Sequence, residues 1–340
     1  MATTATKVRL NKKKCQSGLD GMNLEYKISL DGMDKLYLEK EALKNNVGNT
    51  IVEIDCIGGK VRVYVNAVNG VRPNNVKPIG IVDAIKLELV QPQVIEFIRG
   101  YLQKHLQSQY SDKFIDDLKV VSLEVNLTLP CVGGATPSDI IHLMDMALDK
   151  TVVFRKRKPI SKCDKVNTSC LYSKPKEYRL KIYDKSCEQH EKGNPLVEKN
   201  LLRIECVMID RRLNRAFGED KRKLKDILSK QAIEVMCEEY KKIFTEDIIP
   251  CVREYLNNAK DTLFESLTSS DTGKEISDTI CRHRELIADW EIMRVALRCW
   301  YRFRGVEDRS KQMIHKYRQK GLGIPDGVLQ TIKNFHCAVG

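Results

Sequence analysis

Three segments between residues 119 and 209 alternate apolar and polar side chains with a period of two. They are KVVSLEVNLTL, EYRLKIYDK and LLRIECVMI. Because successive side chains of a strand point to opposite faces, the apolar residues of each segment predict one buried face. The polar residues then share the other face, provided that the three strands belong to one sheet. That face would carry Glu124, Asn126, Lys181, Tyr183, Arg203 and Glu205.

The remaining patterns predict an α+β fold, an antiparallel sheet with helices on one face. Strand patterns occur at LEYKISL, TIVEIDCI, KVRVYVNAV, TVVFRKR and TSCLYSK. Gly58-Gly59 separates the second and third of these, as expected for the two-residue turn of a β-hairpin. Apolar residues at helical spacing predict amphipathic helices over 91–110 and over about 138–150.

The character of the sequence changes near Gly218. Beyond it the patterns are helical, with almost no strand signal. The first 20 or so residues are polar and basic, which is typical of a loosely ordered tail. We therefore expect a basic tail over 1–20, a sheet-bearing domain over 21–218 and an all-helical C-terminal domain over 219–340.

The charge of the chain favours a polyanionic partner. Its 340 residues include 58 Lys and Arg against 46 Asp and Glu, a formal net charge of +12. Such an excess is typical of proteins that bind nucleic acid or an acidic membrane surface, and charge alone does not separate the two. The sequence has neither a membrane-length apolar run nor an apolar secretory signal, so we expect a cytoplasmic protein with no membrane partner.

Cysteine and histidine give little support to a metal site of the zinc type. The 12 cysteines are scattered singly without C-x-x-C spacing, and the 6 histidines are equally dispersed. Scattered thiols favour reduced, partly buried cysteines over a disulfide framework. A metal site in this chain would therefore depend on carboxylates, the ligands that Mg²⁺ and Mn²⁺ prefer.

Two stretches are strongly basic. Residues 151–185 carry eleven Lys and Arg against three Asp and Glu, and residues 281–320 carry eleven against five, interleaved with aromatic residues. Either stretch could bind a DNA backbone; the alternatives are a solubilising hairpin tip and a solvated face over an aromatic core. The Asn/Gly/Pro-rich segment VNGVRPNNVKPIG is either a recognition loop or an ordinary loop. The candidate DNA contacts are Arg155, Lys156, Arg157, Lys158, Lys174, Lys176, Arg179 and Arg203.

The predicted polar face combines residue types that suit phosphodiester chemistry. A phenol with a pKa of about 10 is a weak nucleophile at neutral pH, so Tyr183 would need a neighbouring cation or base. Glu124 and Glu205 can hold one Mg²⁺ or Mn²⁺. Lys181 and Lys185 can bind the same phosphate or assist the leaving oxygen. The alternative is a solvated strand face with ordinary Glu–Lys cross-strand pairs.

Residues 178–218 resemble the motif block of rolling-circle replication initiators of the filamentous-phage gene II type. They are also similar to the plasmid initiators of the replication-trans family. The shared pattern is a basic strand ending in aromatic-Asp/Asn-Lys, a glutamate, Arg-apolar-Glu on the next strand and a leucine in the following helix start. The matching residues are Arg179, Tyr183-Asp184-Lys185, Glu188, Arg203-Ile204-Glu205 and Leu213, and Glu124 stands where an upstream aspartate is usual.

The resemblance implies that Tyr183 cuts one DNA strand, stays joined to the 5′ phosphate and leaves a 3′ hydroxyl for priming. It makes 21–218 a nicking domain and Glu124 and Glu205 the ligands of Mg²⁺ or Mn²⁺. The partners would be single- and double-stranded DNA at a replication origin. The sequence has no G-x-x-x-x-G-K-[ST] motif, so a host helicase would separate the strands for a host polymerase.

Three questions stay open at the level of sequence. The same chemistry would serve a relaxase that mobilises a genetic element. A basic DNA-binding regulator without catalysis is the alternative from another class, and in it Tyr183 only packs. Residues 219–340 are expected to supply recognition or homodimerisation without chemistry.

Overall fold

Nine antiparallel strands form one sheet in the part of the chain that the computed structural model describes. That part comprises residues 17–27, 37–43, 52–66, 68, 84–106, 113–149, 151–163, 166–194, 198–270 and 272–339, without the side chains of 52, 84–90, 113, 158–160 and 162–166. The strands are β1 (Gly18–Lys27), β2 (Tyr37–Leu43), β3 (Val52–Ile57), β4 (Lys60–Asn66), β5 (Lys119–Pro130), β6 (Arg155–Cys163), β7 (Val166–Lys174), β8 (Tyr178–Asp184) and β9 (Leu201–Ile209). Their order across the sheet is β2-β3-β4-β1-β5-β9-β8-β7-β6.

Helices pack on the apolar face of this sheet and dominate the chain after β9. They are α1 (Ala84–Leu106), α2 (Lys113–Asp117), α3 (Pro137–Asp149), α4 (Lys185–Glu191), α5 (Asp210–Phe217), α6 (Leu224–Ile227), α7 (Lys230–Lys242), α8 (Ile249–Thr268), α9 (Gly273–Arg282), α10 (Trp290–Phe303), α11 (Ser310–Gln319) and α12 (Val328–Val339). The α+β prediction, with an antiparallel sheet and a helical C-terminal region, is confirmed. Among the described helices, none combines the length and apolar character needed to cross a membrane.

Most predicted elements are present, but the helix predicted over 91–110 begins at Ala84, and two strands differ as well. TVVFRKR does not begin a strand at Thr151, because β6 starts at Arg155. The unpredicted strand β2 has the sequence YLEKEAL, whose Glu, Lys, Ala and Leu favour helix, yet it pairs with β3 at the edge of the sheet. Hydrogen bonds to a neighbouring strand override a weak local preference of this kind. The Gly58-Gly59 turn is confirmed, and both glycines have positive φ angles, as the tight hairpin requires.

Two sequence-based boundaries fall differently from expectation or outside the described residues. β1 already begins at Gly18, and Leu19 is completely buried, so the end of the expected tail belongs to the sheet. Residues 1–16 lie outside the described part of the chain, as do residues 69–80 of the candidate recognition loop.

The helical C-terminal region shares its core with the sheet. Tyr240 in α7 is buried, and its hydroxyl donates a hydrogen bond of 2.8 Å to the Ile204 carbonyl in β9. Arg212 in α5 is paired with Glu239 in α7 at 2.7 Å, and both side chains are almost fully buried. Gly218 therefore marks the change from strands to helices within one core, while the separate tasks expected of 21–218 and 219–340 remain a prediction.

A π-helical turn, Ile243–Ile248, connects α7 with α8 and carries a contact to the sheet. Pro250 lacks the backbone N–H that would bond to the carbonyl four residues earlier, which disfavours regular α-helix here. Asp247 in this turn accepts hydrogen bonds from the Tyr178 hydroxyl at 2.7 Å and from Lys174 Nζ at 3.1 Å. The irregular turn thus aligns a carboxylate with the start of β8.

If sheet and helices share one core, a cavity made in α12 should destabilise the whole protein. Phe335 is completely buried, and Phe335→Ala should lower the free energy of unfolding by about 3 to 5 kcal/mol. The exposed Phe303 provides the matched control, since Phe303→Ala should cost about 1 kcal/mol or less. Urea unfolding followed by circular dichroism should show one shifted transition for Phe335→Ala. An unshifted second transition would mean that the sheet folds independently of α12.

Candidate active site

The strand register brings the predicted polar residues to one face of the sheet. Glu205 in β9 lies between Asn126 in β5 and Lys181 in β8. Arg203 lies in the same way between Thr128 and Tyr183. Residues two apart on a strand share a face, so these two rows are neighbours, and Glu124 and Arg179 lie in the next row. We call this surface the polar face.

A β-bulge in β1 adds a residue that the sequence analysis missed. The register of β1 against β5 shifts between Leu19 and Gly21, which leaves Asp20 as the extra residue. Its Oδ2 pairs with Arg203 Nη1 at 3.1 Å. The only signal for it in the sequence is Gly21, because an isolated glycine in a strand often marks a bulge.

Arg203 is a completely buried guanidinium at the centre of the polar face. Besides its ion pair with Asp20, its Nε donates a hydrogen bond of 2.8 Å to Thr128 Oγ1. Burial disfavours its charge, but nearby acidic groups outweigh burial and raise the pKa of Arg203. Arg203 is therefore an internal cation of the site, and the DNA contact expected of it stays a prediction.

Tyr183 is only 5% exposed, and its hydroxyl donates a hydrogen bond of 3.1 Å to Glu205 Oε2. The ammonium groups of Lys181 and Lys185 lie 4.4 and 5.7 Å from the centre of its ring. The pKa of the phenol is raised well above its ordinary value, mainly by burial; the positive charge of Arg203 opposes the rise, and neighbouring carboxylates add to it. Ionisation of Tyr183 therefore requires an adjacent proton acceptor, and Glu205 is in contact with the hydroxyl.

Glu124 in β5 lies beside Gly21 in β1, and the Tyr64 side chain reaches it from β4. The Tyr64 hydroxyl donates a hydrogen bond of 3.4 Å to Glu124 Oε2. A Cβ atom on Gly21 would lie 2.9 Å from that hydroxyl and 3.1 Å from the carboxylate, so the glycine leaves room for both groups. Burial and then the charges of Glu205 and Asp20 raise the pKa of Glu124 to about 7. Burial and neighbouring negative charge thus favour the protonated form of Glu124.

The start of α4 supplies a lysine buried beneath the surface. Asp184 caps the helix by accepting a hydrogen bond of 2.9 Å from the Cys187 backbone N–H. Lys185 is completely buried, and its Nζ lies 2.6 Å from Glu188 Oε2. Burial and the charge of Arg203 lower the pKa of Lys185 to about 8, although Glu188 opposes this change. Burial would raise the pKa of Glu188, but Lys185 outweighs it and the pKa falls to about 2.

The oxygen atoms of the polar face meet part of what a hard cation requires. Asp20 Oδ1 and the side-chain amide of Asn126 are buried without a hydrogen-bond partner among the described residues. Unpaired buried oxygens next to mutually repelling carboxylates suit Mg²⁺ or Mn²⁺ in donor type and charge. Within the described ranges, however, no three His, Cys, Asp or Glu side chains are grouped as ligands of one metal ion. A cation here would be held by one or two carboxylates, with water or phosphate completing its shell.

The predicted DNA contacts divide between the two faces of the sheet. Arg155 pairs in register with Ser173, and Ser173 with Arg179, which puts both arginines on the polar face. Arg157 Nε donates to Ser173 Oγ at 2.6 Å. Together with Lys181, these exposed arginines form a basic row beside Tyr183.

The other predicted contacts are placed differently. Lys156 and Lys174 lie on the helix-covered face, where they form ion pairs with Asp145 at 2.8 Å and with Asp247 at 3.1 Å. Alternation along the strand explains this, because each is one residue away from a position on the polar face. Lys176 is exposed in the β7–β8 turn. The side chain of Lys158 is outside the described part of the chain.

The aromatic residues of segment 281–320 belong mainly to the core. Trp290, Trp300, Tyr301 and Tyr317 are all buried, and Phe303 is 63% exposed. The alternative of a solvated basic face over an aromatic core therefore fits four of these five residues.

Comparison of the chain with known proteins identifies no family for it. No protein-family model matches the chain, and no curated protein matches it either. The resemblance to rolling-circle initiators stays a prediction that rests on the residues named above.

The raised pKa of Glu124 should make stability depend on pH. A carboxyl group with a raised pKa in the folded state stabilises below the unfolded value of about 4.3, and this contribution is lost as the pH rises through about 7. The free energy of unfolding should therefore fall by roughly 1 to 3 kcal/mol between pH 4.5 and 8, and Glu124→Gln should abolish most of that fall. Urea unfolding across this range measures it, with exposed Glu285→Gln as the control. A fall of equal size in both variants would assign it to other groups.

Proposed function

We propose that this protein is a DNA strand nicking-joining enzyme that initiates rolling-circle replication through a phosphotyrosine intermediate. The observation that carries the proposal is the hydrogen bond from the Tyr183 hydroxyl to Glu205, on a sheet face shared with Glu124, Lys181 and Arg203. A nucleophile, its proton acceptor and cations are thereby in direct contact, which is the arrangement that attack by a phenol requires. The resemblance to rolling-circle initiators adds the expectation that Tyr183 becomes joined to the 5′ phosphate and that a 3′ hydroxyl is released.

One movement of the Lys181 side chain can both bind a phosphate and expose Tyr183. The Tyr183 ring is covered by the Lys181 ammonium group at 4.4 Å, and the Lys181 side chain is itself exposed. An arriving phosphate is a stronger partner for this ammonium than an aromatic ring. Lys181 would turn toward the phosphate and leave the tyrosine open to the phosphorus atom.

The chain's own residues account for both proton transfers. Tyr183 Oη forms the bond to phosphorus as its proton passes to Glu205, and the bond from phosphorus to the 3′ oxygen breaks. Lys185, with a pKa of about 8, is suited to donate a proton to the departing 3′ oxygen near neutral pH. The products are a 5′ phosphotyrosine and a free 3′ hydroxyl. Rejoining reverses the same transfers.

Glu124 and Glu205 would hold one Mg²⁺ or Mn²⁺, with the unpaired oxygens of Asp20 and Asn126 as additional donors. A bound cation of this kind polarises a non-bridging phosphate oxygen and offsets charge in the transition state. Such a cation would also offset the charges of Glu205 and Asp20, which add to burial in raising the pKa of Glu124.

DNA would follow the basic row of Arg155, Arg157, Arg179 and Lys181, which leads to Tyr183. Each neutralised phosphate adds a salt-dependent increment of affinity without reading sequence. The proposed partners are single- and double-stranded DNA at a replication origin, and a host helicase and polymerase. Homodimerisation is also part of the proposal. A relaxase would use the same site, and the origin and the partners would distinguish it.

One observation favours a second candidate, a DNA-binding regulator without catalysis. Tyr183 is 5% exposed and the pKa of its phenol is raised, as for a tyrosine that only packs. The two candidates share the basic surface and differ in whether removal of one hydroxyl affects strand cleavage.

Tyr183→Phe should abolish nicking of supercoiled DNA that carries the element's own origin. The change removes one hydroxyl and one hydrogen bond, so unfolding should become easier by only about 1 kcal/mol and DNA affinity should be nearly unchanged. Tyr37→Phe, at an exposed tyrosine of β2, is the matched control and should nick at the parental rate. Parental nicking by Tyr183→Phe would refute the nucleophile assignment, and absence of nicking in every variant would favour the regulator.

Glu205→Gln should lower the nicking rate by roughly two to four orders of magnitude, because the amide neither accepts the phenol proton nor binds a hard cation well. Nicking by the parental protein should require Mg²⁺ or Mn²⁺ and stop in excess EDTA. Calorimetric titration with Mn²⁺ should show weaker binding to Glu205→Gln than to Glu285→Gln. Full activity in excess EDTA would rule out a role for the cation. The nicking rate of Glu205→Gln would then test Glu205 as a proton acceptor only.

A further inference from the structure

A cavity of about 520 Å³ opens on the polar face next to the carboxylate cluster. β1, β3, β4 and β5 form its walls, and Arg179 reaches it from β8 across Ile209 of β9. Tyr64 belongs to both sites, because it lines the cavity and its hydroxyl contacts Glu124. The volume lies within the range of about 300 to 1,000 Å³ that is typical of small-ligand pockets.

Most polar groups of the cavity already have partners. Asn23 donates a hydrogen bond of 2.7 Å to Ser122 Oγ, and Arg62 lies 3.4 Å from Glu25. Lys40 is paired with Glu53. Two groups differ from the rest: Asp55 Oδ1 is buried with no hydrogen-bond partner, and Arg179 makes no ion pair, in each case among the described residues.

A ligand for these groups needs three features. A hydrogen-bond donor suits the Asp55 carboxylate, which lines the cavity and can only accept hydrogen bonds when ionised. A flat apolar face can stack on the Tyr64 ring. An anionic group must lie at Arg179, toward the carboxylate cluster and Tyr183. Heterocyclic base, sugar and phosphate have these features in this order.

We propose that the cavity binds the base of an unpaired nucleotide adjacent to the phosphate that Tyr183 attacks. This rests on the proposed function, and it assigns a binding site for one nucleotide of single-stranded DNA. A paired base is excluded, because both of its faces are stacked on neighbouring base pairs and neither can stack on Tyr64. The base stacks on Tyr64, its exocyclic amino group donates to Asp55, and its phosphate binds Arg179.

The chemistry of Asp55 implies a base preference. A carboxylate accepts from the amino group of cytosine, whereas the same edge of thymine presents a carbonyl oxygen that repels it. Cytosine and thymine are of similar size, so the comparison isolates the hydrogen bond. Because Tyr64 also holds Glu124, a bound base is in contact with a residue that positions the carboxylate cluster.

Fluorescence anisotropy with ten-nucleotide oligo(dC) and oligo(dT) at one fixed salt concentration tests the proposal. The full chain carrying Tyr183→Phe serves as the parent, so that strand cleavage does not enter the readout. The parent should bind oligo(dC) about fivefold more tightly than oligo(dT), as one hydrogen bond to a charged acceptor predicts. Asp55→Asn should reduce this preference to less than about twofold, because an amide can serve either base.

Two controls separate the base site from general electrostatics and from folding. Asp278→Asn makes the same charge change at an exposed position of α9 and should keep the oligo(dC) preference. Tyr64→Leu should weaken binding of both oligonucleotides by about tenfold through loss of stacking, whereas Tyr64→Phe, which keeps the ring, should not.

Equal affinity of the parent for the two oligonucleotides, or an unchanged preference in Asp55→Asn, would overturn the proposal. Either result leaves the nicking assays untouched, since those report on Tyr183 and Glu205. Conversely, a base preference that depends on Asp55 in a protein that never nicks DNA would support the site and reject the proposed catalysis.

Discussion

The buried ion pair between Arg203 and Asp20 is the interaction on which the polar face depends. A guanidinium removed from water needs compensating charge, or it costs several kcal/mol. The bulge in β1 brings Asp20 to Arg203 at 3.1 Å, and this pair ties β1 to β9 across β5. The same positive charge lowers the pKa of Lys185 and opposes the rise in the pKa of Tyr183. One cation thus adjusts the protonation of both groups proposed to exchange protons with the substrate.

Negative charge is organised around the same centre. Burial and then the charges of Glu205 and Asp20 raise the pKa of Glu124 to about 7. Gly21 permits this crowding, because any Cβ there would meet Tyr64 and Glu124. A protein gains no stability from such repulsion, and this supports the proposed cation and proton transfer at the cluster. The adjoining cavity of about 520 Å³ extends the polar face beyond this cluster.

The period of two was sufficient to group the main site residues. Glu124, Lys181 and Glu205 were assigned to one face from alternation alone, because a strand leaves a side chain only two directions. The same rule explains why Lys156 and Lys174 lie apart from the other predicted DNA contacts. They are as basic as their neighbours, but alternation turns them to the helix-covered face, where Asp145 and Asp247 pair with them. Asp20 was missed because a bulge breaks the period that the prediction uses.

The sequence by itself determined the α+β class, the hairpin at Gly58-Gly59 and the shared face of Tyr183 and Glu205, since each follows from local geometry or strict alternation. Only the tertiary structure decided that YLEKEAL is a strand, that Arg203 is internal and that Tyr183 is covered by two lysines. These features depend on contacts between residues far apart in the chain, such as Asp20 with Arg203 and Tyr64 with Glu124. Local patterns carry no information on such long-range contacts. Burial results from all of these contacts together, and burial shifts the pKa values of the site.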